Sequence, residues 1–158
     1  KNQCRYGRPN QDEDEQLRTL IKLVSEGTEI ISVQRVDPFL NSEPFNPKRA
    51  MYWRSGSTIS SLQGNIKGLR LIVDAAQLGE INGGENRRTV DGLDFEISNA
   101  ERTLAATQIK VEALAGDSEA FGRLKYFRIV MQSMSDLSGS TIPGIFGLTS
   151  GFSSLDGD

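Results

Sequence analysis

Residues 117–137, DSEAFGRLKYFRIVMQSMSDL, limit the fold more than any other stretch of the chain. Phe121, Leu124, Phe127, Met131 and Met134 recur at helical spacing, while Tyr126, Ile129 and Val130 lie off that face. A helix that is apolar nearly all round is buried on more than one side. The rest of the chain must therefore enclose it, with Asp117 or Ser118 as its cap. A second helix is expected just before it, over 98–116. Ser98 and Glu101 have the spacing of a capping box, Leu104, Val111 and Leu114 share a face, and Gly116 stops it.

Upstream the periodicity changes. Leu93, Phe95 and Ile97 alternate with Asp94 and Glu96, the pattern of a half-buried strand. The turn-rich NGGENRR at 82–88 precedes it. Residues 57–78 read two ways. Ile59, Leu62, Ile66, Leu69, Val73 and Ala76 are spaced as a helix seam. Against that, Gly64 and Gly68 each cost a helix about 1 kcal/mol relative to alanine, and GLRLIVDA has strand length. The strand is favoured, which makes a hairpin of 69–75 with 89–97.

Nearer the start, DEDEQLRTLIKLVSEG predicts an amphipathic helix, with acids 12–15 at the positive end of its dipole and Gly27 as its stop. EIISVQRV, 29–36, is β-branched and predicts a strand. The loop that follows holds Pro38, Pro44 and Pro47, with Phe39 and Phe45 pinning it to the body. Residues 1–11 read as an arm. A chain of 158 residues is one domain by size and long enough for a real core. No run approaches the ~18 consecutive apolar residues of a membrane span.

The sequence has no histidine, which closes the usual routes to a triad or a zinc centre. The lone Cys4 cannot form an internal disulfide. Neither phosphate-loop fingerprint is present. On a strand, Asp94 and Glu96 would share a face about 7 Å apart, a spacing open to holding a cation or to acid/base work but also that of the solvated face of an amphipathic strand. The expectation is a protein without catalysis or cofactor.

One stretch suggests binding. PKRAMYWR joins Lys48, Arg49 and Arg54 to Tyr52 and Trp53, and Arg87 and Arg88 stand ready to extend the patch. Cations supply phosphate contacts, and aromatic faces can stack on bases. Trp53 plugging the core edge is the plain alternative. The net charge of −3 gives no global pull toward nucleic acid, so any such contact is local.

The tail, 138–158, spaces Ile142, Ile145, Phe146, Leu148, Phe152 and Leu155 among glycines and serines. Disordered segments are polar, so this one needs a surface, on its own body or on a neighbouring subunit. Over residues 137–152, LSGSTIPGIFGLTSGF resembles the end of RNA-phage coat proteins, while the acidic helix and the proline loop depart from that family. The resemblance implies a coat subunit that self-assembles through its arms, located in a virion, with nucleic acid contacted near 48–54.

These readings combine into an α+β domain over 1–137: an N-terminal helix, a small antiparallel sheet, two C-terminal helices, then an extended arm. An all-α bundle is the alternative. The expected function is a self-assembling structural subunit of capsid type. The alternative is a monomeric protein-binding module, such as a secreted effector or adaptor, using the Trp53 patch.

Overall fold

The computed structural model describes residues 11–84 and 86–148. Among them there is no strand. The four long helices are α1 (Gln11–Glu29), α3 (Thr58–Ala76), α4 (Arg87–Ala106) and α5 (Ser118–Asp136). Two short ones, α2 (Asp37–Leu40) and α6 (Ile142–Ile145), extend α1 and α5. The α+β expectation is therefore wrong, and the all-α alternative fits.

Helix α1 packs on α3, α3 on α4, α4 on α5, and α5 back on α1. Neighbours run antiparallel. Gln63 on α3 donates to the Leu104 carbonyl near the end of α4, and Ser133 on α5 donates to Glu96 on α4. The result is an up-down-up-down bundle.

Each expected strand is helical for a local reason. In α4 the core seam is Val90, Leu93, Ile97, Ala100 and Leu104, all buried. Leu93 and Ile97 are one turn apart, and Phe95 points outward with 61% of its surface exposed. The apparent alternation was a helical pair with a stray aromatic between. Ser98 is no cap. It sits within α4 and donates to the Asp94 carbonyl at 2.9 Å. The helix runs from Arg87 to Ala106 rather than over 98–116, and Val111–Gly116 is a separate 3₁₀ turn.

In α3, Ile59, Leu62, Ile66, Leu69 and Val73 are buried. Fully burying a large side chain stabilises by roughly 1.5–3 kcal/mol, so the seam outweighs two glycine penalties of about 1 kcal/mol each. Both glycines face open space.

The expected strand 29–36 is a π-helical stretch, Ile30–Val36, joining α1 to α2, with helical dihedrals at Glu29, Val36 and Asp37. Another π stretch, Leu137–Thr141, joins α5 to α6. Each ends just before a proline near the start of the next helix, Pro38 and Pro143. Proline lacks an N–H and its ring crowds the carbonyl a turn earlier. The wide turn absorbs this: the amides of Asp37 and Ile142 reach back five residues, to the Ser32 and Leu137 carbonyls. It also moves the core seam, which steps from Ile31 to Val36, Phe39 and Leu40.

Two loop expectations hold. Asp117 caps α5, its side chain accepting from the Ala120 amide at 2.8 Å. Phe39 is buried, and Phe45 meets Phe121 edge-to-face at 5.3 Å. The extended arm does not hold across 138–148, where the chain stays helical to Ile145 and remains on the bundle. Residues 1–10 with Cys4, and the tail positions Phe152 and Leu155, lie outside the described residues. The expectation that α5 is buried on several sides is also corrected, because Tyr126 and Ile129 are exposed.

Candidate partner-binding site

Residues 47–57 cross from the proline loop to the start of α3 and form one exposed knuckle. Asn46 caps its 3₁₀ turn, Pro47–Arg49, by accepting from the Lys48 amide at 3.1 Å. Ala50 is buried and anchors the segment. The amide of Ser57 closes the loop onto the Tyr52 carbonyl at 3.2 Å, and the Thr58 hydroxyl donates to the Met51 carbonyl at 2.6 Å. This closure puts Tyr52 in the left-handed region, with φ at +61°. A bulky residue is strained there, and such strain persists only where its surroundings over-determine it.

Strain here coincides with exposure. Met51 and Tyr52 project into solvent, while Trp53 is half-buried against the core. Lys48 Nζ stands 5.9 Å from the Trp53 ring centre and the Arg54 guanidinium 5.3 Å from it. Both distances are those of cation–π pairs. Lys48, Arg49 and Arg54 form no ion pair among the described residues. Beside the knuckle is a hollow of about 390 Å³ lined by Ser42, Phe45 and Arg49 among others.

The structure thus brings Lys48, Arg49, Tyr52, Trp53 and Arg54 together. Arg87 and Arg88 are elsewhere, at the start of α4, whereas the knuckle adjoins the start of the antiparallel α3. A 20-residue helix spans about 30 Å, so they do not extend the patch. Arg87 is paired with Glu80.

The two carboxylates considered for catalysis part company. On a helix, positions two apart point in different directions. Asp94 faces α3 and Arg70, at 3.4 Å, while Glu96 faces α5 and accepts from Ser133 at 2.8 Å. Burial pushes the Asp94 carboxyl above its ordinary value, Arg70 pulls it down, and Asp74 and Asp91 push it up. Arg70 is a polar clamp that sequence reasoning missed. It also meets Glu101 at 3.2 Å and Ser98 at 2.8 Å, tying α3 to α4. Its one available signal was a lone cation within the apolar GLRLIVDA.

Of the tail positions assigned to a subunit interface, Ile142 and Leu148 are buried in this chain's own core, and Ile145 and Phe146 are half-buried. Among the described residues no helix is long and apolar enough to cross a membrane, and no group of three His, Cys, Asp or Glu could hold a metal ion.

Residues 2–126 match the protein family described as Imelysin, designated Peptidase_M75. No curated protein and no solved structure matches the chain. The family match overturns the coat-protein reading, with its capsid and virion attributes. Covering well over half of the sequence, it shows that the chain belongs to the imelysin family.

Proposed function

We propose that this helical bundle is a non-catalytic binding module whose Trp53 knuckle recognises an acidic protein surface. The observation that carries the reading is the knuckle itself. Two exposed side chains, Met51 and Tyr52, and three cations without ion pairs among the described residues are gathered on a strained turn beside the half-buried Trp53. Aromatic residues and arginine dominate interface hot spots, and complementary charge supplies orientation and on-rate. A protein partner is favoured over nucleic acid because two cations already stand over the Trp53 ring, where a base would stack. The family designation carries the word peptidase. For this chain the absence of histidine and the separation of Asp94 from Glu96 support a binding role instead.

Fluorescence anisotropy with a labelled hexaglutamate peptide tests the proposal. Saturable binding is expected for the native chain, at least about tenfold weaker in a Lys48/Arg49/Arg54 triple alanine variant. Equal binding by the triple variant, or preference for a labelled oligothymidylate, contradicts it. So does casein hydrolysis by the purified chain that Asp94→Asn abolishes.

A further inference from the structure

A groove of about 510 Å³ runs between α4 and α5, lined by Asn99, Arg102, Ala106, Gly122, Arg123 and Tyr126 with Thr103. We infer that this groove binds a small oxyanion carried on a flat apolar body, such as an aromatic carboxylate. This inference is independent of the Trp53 reading.

The first observation is an unsatisfied donor. Arg123 Nε is buried and has no hydrogen-bond partner among the described residues, although Nη1 of the same guanidinium is held by Glu119 at 2.5 Å. Buried polar atoms are nearly always paired, so an orphan beside a groove marks a place where a ligand atom belongs. The second is a second guanidinium on the same groove. Arg102 bonds the Asn99 side chain and the Ser98 carbonyl, and makes no ion pair among the described residues. Asn99 is 8% exposed and is fixed from its other side by Glu96 at 3.2 Å, so Arg102 is held in place. Guanidinium forks match the geometry of carboxylate and phosphate oxygens.

The third observation is the shape of the walls. Ala106 and Gly122 present little or no side chain, and a Cβ added at Gly122 would meet nothing within 4 Å. Tyr126 stands beside them largely exposed. The nearby acids are already engaged, Glu119 with Arg123 and Glu96 with Asn99 and Ser133. The guanidinium groups, one from each helix, suit an oxyanion, and the Tyr126 ring suits a flat body.

The oxyanion and the ring are separable by titrating the isotope-labelled chain with benzoate and with inorganic phosphate. The signals followed by NMR are the Arg123 Nε–H and the Gly122 amide. Benzoate is expected to shift both saturably with a millimolar Kd, and phosphate to shift Arg123 more weakly. Arg123→Lys keeps the charge and lacks the fork, and should weaken benzoate at least about tenfold. Arg102→Gln should weaken it similarly, with unchanged amide dispersion showing that the variant is folded. Linear, unsaturable shifts overturn the proposal, as does equal affinity in Arg123→Lys. Saturation by phosphate with none by benzoate overturns it too, because the flat body is then not recognised.

Discussion

Gly64 and Gly68 lie on the outward face of α3, where an added methyl group meets no neighbour. The only effect of replacement is then on helix propensity and on the freedom of the unfolded chain. Gly64→Ala and Gly68→Ala should each stabilise the protein by about 0.5–1 kcal/mol, read as a higher denaturation midpoint in urea with an unchanged slope. Asp94 gives a second prediction at this scale. Its folded pKa is raised above 3.8, so the native state holds the proton more tightly than the unfolded chain. The contribution of Asp94 to stability is therefore greatest below 3.8 and declines as pH rises through the folded value. Stability of the native chain relative to Asp94→Asn should fall with pH across that window. A relative stability that rises with pH would mean that Arg70 outweighs burial and would contradict the assignment.

At the scale of the element, α4 is where a strand pattern and a helix pattern coincide. Leu93, Phe95 and Ile97 satisfy both a two-residue and a four-residue period, and short apolar runs do not distinguish them. The longer window from Val90 to Leu104 does, since all five seam positions follow helical spacing and all five are buried. The same holds for α3, where the length of the buried seam outweighs the two glycines. By contrast α1, the cap at Asp117 and the core face of α5 were legible, because acids, cap and period agree there, although α1 runs through its expected stop at Gly27 to Glu29. The π stretches were not legible, because i→i−5 bonding answers the prolines and the seam shift rather than any residue preference. Leu93→Ala should cost about 2–5 kcal/mol. Phe95→Ala, at an exposed site, should stay within about 0.5 kcal/mol. Thermal and urea unfolding of the two variants check this, and equal losses would restore the alternating-strand reading.

For the whole molecule, the bundle turns a polar sequence into two separate outward features, the Trp53 knuckle and the α4–α5 groove. The knuckle was legible as a basic aromatic string, PKRAMYWR. Its strained Tyr52 and its closure onto Thr58 depend on contacts that no local pattern encodes. The groove was not legible, because Arg102 and Arg123 line one groove only once α4 and α5 are packed. The tail residues Ile142 and Leu148 add to the chain's own core, so they have no exposed surface for a second subunit. Arm exchange is therefore not needed to explain their apolar character.

Trp53 is the single tryptophan of the chain, so tryptophan emission, excited where tyrosine does not absorb, reports on the knuckle alone. The most direct test of an acid-binding knuckle is a titration of that emission with unlabelled hexaglutamate at low salt and at about 1 M salt, where the Debye length falls to about 3 Å. The account predicts a saturable change at low salt that is abolished at high salt. An emission that stays constant through the titration, or a change that persists unaltered at high salt, would contradict it.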